Sequence, residues 1–425
     1  MQIKKIEVTN FKSFKELSLE LGRFNVMIGP NSAGKSNLLS IFRFLRDIVQ
    51  SGLDNAISMQ GGVEYLRNLS LGNSDKFMTC KLEVEPFKRI RPIKTMPHGT
   101  IGIKPSYFEH EFVLEFSDDN EQYRVVHNVL KQNFVFFLLR DNSNPSDIHE
   151  IGRSELTISN NNGNFSIDYS KDGEIPLTKE DLLPSIYLDI NSYSEQAKLN
   201  DTLFIENQYY MPHPDSVRKA IGDITIYDLE PSQSKSAISI AGKAELEENG
   251  ENLAIVLKRI LSNPEKARTL FNLIQYLLPF IESFEVDKFL DRYLQLKVKE
   301  SYVKDKMLPA SLMSSGSLFI IAIVIVLYFE HKSFVVFEEP ARRIHPHLIS
   351  KVIDMMKECS QYKQILLSTH NPEIVKYAGI ENIYFVSRNS EGFSSIIKPH
   401  ERDEVKTFLE NEIGIEELYI QNLLK

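Results

Sequence analysis

Residues 29–36, Gly-Pro-Asn-Ser-Ala-Gly-Lys-Ser, match the spacing GxxxxGK[ST]. They follow the apolar run FNVMI and precede Asn37 and an apolar pattern of Leu38, Leu39, Ile41, Phe42, Leu45 and Ile48. That order predicts a strand, a tight loop and a helix, and so an α/β fold. The spacing also has a chemical reading. Glycines let backbone N–H groups turn inward around a phosphate chain. The helix N-terminus behind them adds unsatisfied donors and the positive end of a dipole. Lys35 would neutralise the β- and γ-phosphates, and the Ser36 hydroxyl would coordinate Mg²⁺. The loop therefore predicts a nucleoside triphosphate bound by Gly29, Asn31, Ser32, Ala33, Gly34, Lys35, Ser36 and Asn37.

A complementary set of residues lies about 300 positions further on. SFVVFEEP, residues 333–340, is an apolar strand that ends in two carboxylates. We assign Glu338 to the metal and Glu339 to polarisation of the attacking water. ILLSTHNPEIV, residues 365–375, is a second apolar strand and ends in Ser368-Thr369-His370. His370 at such a strand end can bond the γ-phosphate and hold the attacking water. Asn371 and Pro372 then make a helix start, with proline at the first helical position. In LMSSGSLF, Ser315 and Gly316 fall at a helix N-terminus and form an anion site by the same dipole argument. Catalytic roles thus fall to Glu339, His370 and Lys35.

The remaining composition narrows the choices. Net charge is −9, so there is no global basic field for nucleic acid. With only Cys80 and Cys359, no disulfide framework or Cys-rich zinc site is implied, which fits a reducing cytoplasm. The opening MQIKKIEVTNFKSF does not read as a signal peptide. The longest apolar run, residues 318–329, is too short to span a bilayer and predicts a buried core element. Residues 76–169 read as strands, with turns at SDDN, DNSNPSD and NNNGN. Residues 252–290 read as helical. No long a/d heptad array is present, which excludes an extended coiled-coil arm.

The motif order resembles the ABC-type ATPase heads of the SMC, RecF and OLD group. TNFKSF is similar to their opening strand, GPNSAGKSNLL to Walker A, SSGSLF to the signature, FVVFEEPARRIHP to Walker B with the D-loop, and LLSTHNPEIV to the switch-histidine segment. GENLAIVLKRI and IHPHL resemble compact AAA-family members of bacterial antiphage systems, the Septu type among them. The resemblance implies a P-loop NTPase head with an N-terminal antiparallel β lobe and a β-rich, then mixed, insertion between Walker A and signature. The expected segments are 1–84 (head with Walker A), 85–225 (insertion) and 226–425 (head with signature, Walker B and switch histidine). It also implies an ATP-sandwiched dimer, in which Ser315 and Gly316 of one copy reach the γ-phosphate held by the other. Three features depart from the family pattern: Glu338 stands where Asp is usual, Ala341 where the compact group has Glu, and Leu318 and Phe319 where a basic residue follows the signature glycine.

The resemblance also bears on what the head serves. Only 55 residues follow His370, too few for a Toprim nuclease, so the effector is expected on another chain, such as an HNH-type nuclease. The alternatives are a RecF-like clamp that uses ATP to hold DNA in repair, and an ATP sensor with little turnover. The basic stretch at 87–104, with Lys88, Arg89, Arg91, Lys94 and Lys104, motivates the clamp. Arg342 and Arg343 are expected to face a partner subunit. No membrane contact is expected.

Overall fold

The computed structural model describes residues 1–86, 89–97, 99–119, 121–139, 148–184, 187, 202–212, 217–230, 233–304, 306–410, 414–421 and 423. Strands β1 (Gln2–Phe11), β2 (Phe14–Glu20) and β3 (Phe24–Ile28) lead to the helix Lys35–Ser51. After it come β4 (Phe77–Glu85), β5 (Arg91–Met96), β6 (Gly99–Phe116), β7 (Tyr123–Leu139), β8 (Ile148–Asn161) and β9 (Asn164–Gly173). Next are β10 (Thr225–Tyr227), β11 (Ile238–Ser239), β12 (Ile281–Phe289), β13 (Tyr293–Glu300) and β14 (Leu308–Pro309). The last strands are β15 (Phe334–Glu338), β16 (Gln364–Thr369), β17 (Ile383–Arg388) and β18 (Ser394–Ile397).

The chain separates into two compact units. One comprises 1–22, 32–224 and 387–396; the other comprises 23–31, 225–386 and 397–425. The expected segment spanning 1–84 is thus divided, because β3 and the first loop residues belong with the C-terminal half. Nor does a sheet boundary fall at 84/85, since β4 pairs with β1 on one side and β6 on the other.

The first unit is built on an antiparallel sheet of order β2-β1-β4-β6-β7-β8-β9, with β5 added to β6. Its strands alternate as a sheet with one buried face must. In β6, Phe108, Phe112, Leu114 and Phe116 are buried, with the half-exposed Glu109, Glu111, Val113 and Glu115 alternating on the other face. NNNGN is a tight hairpin between β8 and β9, with Asn162 and Gly163 both at positive φ and the Gly163 N–H bonded to Asn160 Oδ1. DNSNPSD and Lys88 lie outside the described residues. Within the basic stretch, residues 91–96 form β5 against β6. Lys94 pairs with Asp181 at 3.1 Å, and Lys104 lies over the Phe137 ring.

One polar residue on the buried face has a measurable consequence. His110 is 1% exposed, with Nε2 at 2.9 Å from Asn128 Oδ1. Burial pushes its pKa down from 6.5 to about 4, against the opposing bond to Asn128. The unfolded chain therefore takes up a proton between about pH 6.5 and 4 that the folded chain excludes. Stability is unaffected above that window and falls as pH drops through it, by roughly 2 kcal/mol at pH 5. Urea midpoints at pH 7.5 and pH 5 should show this extra loss in the wild type and a smaller one in His110→Gln.

The second unit carries a parallel sheet whose core order is β10-β15-β16-β3-β17. Its strands are buried on both faces, so FNVMI, FVVFE and QILLST read as continuous apolar runs rather than alternations. The run at 318–329 forms most of the helix Ser315–Tyr328 and its C-cap Phe329, buried all round from Ser317 to Leu327. Residues 252–290 are only partly helical. Helices Leu253–Leu261 and Pro264–Leu277 give way to β12, where ESFEVDKF pairs antiparallel with β13. The alternating side chains of that stretch fit a half-covered ladder better than a helix face. No helix among the described residues is long and apolar enough to cross a membrane.

Candidate active site

Register places the sequence-predicted residues of the second unit along one sheet edge. Ile28 pairs with Thr369 and Glu338 with Ser368, so β3, β15 and β16 end together. The carboxyl ends of parallel strands are where open α/β sheets bind ligands. Beyond Ile28 the chain enters Gly29-Pro30-Asn31; beyond Glu338 comes Glu339; beyond Thr369 comes His370.

Glu339 has φ +48, an uncommon conformation for a side chain of its size. Such strain costs on the order of 1–3 kcal/mol and persists only where several contacts hold the residue. Here its N–H donates to the Ser368 carbonyl at 2.9 Å. Its Oε1 lies 2.7 Å from His370 Nδ1, and its Oε2 accepts from Thr369 Oγ1 (3.3 Å) and the His370 N–H (3.4 Å). The carboxylate is 19% exposed and the imidazole 55%. Nδ1–H donation to the carboxylate fixes the tautomer and leaves Nε2 as the ring's remaining polar atom. Asn371 caps the helix Pro372–Ala378 by accepting from the Glu373 N–H, which sets where the histidine segment turns.

The glycine spacing of the loop has steric causes visible in the fold. A Cβ on Gly29 would collide with the Val386 carbonyl oxygen of β17. In the first unit, Gly34 has φ +111 and caps the helix Lys35–Ser51, and its Cβ would meet Ser394 Oγ. Ser32 is also at positive φ, +64. Ser394 Oγ donates to the Ala33 carbonyl at 2.7 Å and meets Ser13 Oγ at 2.8 Å. Ser13 in turn accepts from Asn37 Nδ2 at 2.8 Å. Asn37, assigned from the sequence to the nucleotide, thus also braces the loop's framework through Nδ2. Sequence reasoning missed Ser394 and gave Ser13 no role, because only packing brings residues 13, 33 and 394 together.

In the signature segment Ser314 is the N-cap, accepting from the Ser317 N–H at 3.0 Å, with Ser315 and Gly316 in the first turn. A Cβ on Gly316 would lie 2.6 Å from the Arg343 carbonyl oxygen, so this glycine admits the segment that follows Walker B. Arg343 Nη2 bonds Glu230 Oε2 at 3.0 Å, and Arg342 lies 3.9 Å from Oε1 of the same carboxylate. The two arginines assigned to a partner subunit thus have an acid within their own chain. Among the described residues no cluster of three His, Cys, Asp or Glu side chains offers a transition-metal site. The hydroxyl of Ser36 and the carboxylate of Glu338 are hard oxygen donors of the kind Mg²⁺ takes.

A parallel sheet whose carboxyl ends carry the glycine loop, the paired acids and the histidine has the layout of a P-loop NTPase. Residues 24–376 match the family described as "AAA domain, putative AbiEii toxin, Type IV TA system", and the chain belongs to that family. A stretch of 44 residues is 48% identical to the chromosome partition protein Smc of Methanocaldococcus jannaschii, covering 10% of this chain and only 4% of that protein. Similar solved structures include an SmcHead bound to the C-winged helix domain of ScpA, at 15% identity and TM-score 0.48, covering 93% of this chain and 98% of that one. Another is the SMC head domain from Thermotoga maritima, at 13% identity and TM-score 0.39, covering 94% and 99%.

Proposed function

We propose that the protein binds and hydrolyses Mg-ATP as a head-to-head pair, and that this cycle controls a separate effector, a nuclease, in antiphage defence. The observation that carries the catalytic reading is the 2.7 Å contact between Glu339 and His370 at the edge where β3 enters the phosphate loop. Gly29, Asn31, Ser32, Ala33, Gly34 and Lys35 would hold the phosphates through backbone N–H groups and one ammonium. Ser36 and Glu338 would hold magnesium, which when bound neutralises charge on the β- and γ-phosphates. Glu339 orients the attacking water and takes its proton, and His370 keeps that carboxylate in place through Nδ1.

Pairing is supported by the signature helix, whose capped N-terminus presents donors near Ser315 and Gly316 suited to a γ-phosphate. A ligand gripped from both sides favours the paired state by its differential affinity. The family description names a toxin of a toxin–antitoxin system, which supports control of a damaging activity rather than transport. Light scattering on Glu339→Gln, which retains nucleotide, should show the mass doubling on addition of Mg-ATP. An unchanged mass at saturating nucleotide rules the pair out.

A further inference from the structure

His370 is held at more points than the sequence motif supplies. Its ring Nδ1 and its N–H both meet Glu339, and its carbonyl accepts from Tyr419 Oη at 3.4 Å. Tyr419 belongs to the helix Ile415–Ile420, which packs against the helix Pro372–Ala378 that starts just after His370. That helix is anchored by Leu418, fully buried, and Ile415. The Tyr419 ring is set edge-on to Phe385 of β17, with centroids 6.5 Å apart. Burial, and then the negative charge of Glu339, raise the Tyr419 pKa, so the phenol stays protonated and able to donate. His370 itself is more than half exposed, so contacts rather than enclosure must hold it.

We propose that Tyr419 is a positioning residue for the Glu339–His370 pair: its hydroxyl pins the His370 peptide, and through it the imidazole that orients the carboxylate. The C-terminal helix thereby becomes part of the catalytic framework, although it carries no residue of the recognised motifs. The proposal rests on the ATPase reading above for its kinetic consequence, but its geometry stands independently. The physical reason is preorganisation. A peptide free to rotate would swing the ring, and small misplacements of catalytic groups cost rate far more than they cost binding.

The test compares wild type, Tyr419→Phe and Tyr419→Ala, with Mg-ATP turnover, thermal melting and the His370 ring ¹⁵N signals of histidine-labelled protein. His370→Gln assigns those signals. Both variants should lower kcat roughly tenfold with KM for ATP within about twofold. Tyr419→Phe should melt like wild type, and both should move the His370 ring signals. A Tyr419→Phe protein with wild-type kcat and unmoved His370 signals overturns the proposal, because ring packing alone would then account for the residue. A wild type that turns over no ATP ends the hydrolysis reading instead, and the ring signals still decide the role of Tyr419.

Discussion

Glu339→Gln is expected to lower ATP turnover by about 10²–10⁴-fold while leaving ATP affinity within a fewfold of wild type, since that is the usual worth of a positioned general base. The carboxylate's three acceptor contacts come from Thr369, the His370 N–H and His370 Nδ1. A carboxamide keeps the side-chain volume and one acceptor oxygen, so the strained backbone at φ +48 remains supported. What is lost is basicity and one acceptor. Steady-state turnover alongside equilibrium nucleotide binding separates the outcomes. Unchanged turnover would show that hydrolysis never depended on this carboxylate and would favour the ATP-sensor reading; a large loss with binding retained supports the enzyme.

Lys35→Ala should weaken nucleotide binding by roughly 10–100-fold or more, because charge-assisted bonds to phosphate contribute about 1.5–3 kcal/mol each. The loss should appear in affinity itself, not only in turnover, which distinguishes it from Glu339→Gln. It should also depend on the phosphate chain. A nucleoside diphosphate should lose less than the triphosphate, since the ammonium is assigned to the β- and γ-phosphates. Fluorescent-nucleotide titration checks both points. Equal affinity in the variant and the wild type would remove the phosphate-loop reading on which the rest of the site depends. Retained melting temperature is expected, because the loop is braced by Ser394, Ser13 and Asn37 rather than by Lys35 alone.

The motif-bearing stretches of the fold were readable because their chemistry is local. FNVMI, FVVFE and QILLST announced buried parallel strands by being apolar without alternation. The helix start at Asn371-Pro372 announced itself by capping chemistry, and the helix after Gly34 by the glycine-loop spacing and the apolar pattern behind it. Where reading failed, the deciding partner lay outside the stretch being read. Residues 281–289 became a strand because β13 lies opposite with matching alternation. Arg342 and Arg343 gained Glu230 as a neighbour, more than a hundred positions earlier in the chain.

The amino-acid order by itself determined that a glycine loop between strand and helix, an acidic and a histidine strand end and a helix beginning near Ser315 would exist, since each depends on backbone preferences and side-chain chemistry within about ten residues. Tertiary structure decided how they serve one another. Strand register set Glu338 beside Ser368 and Ile28 beside Thr369, and packing put His370 on Glu339, Ser394 on the loop and Tyr419 behind the histidine. The reason is separation along the chain: no local preference acts between residues tens to hundreds of positions apart, so only the burial of whole sheet faces and the pairing of their backbone groups can choose such neighbours.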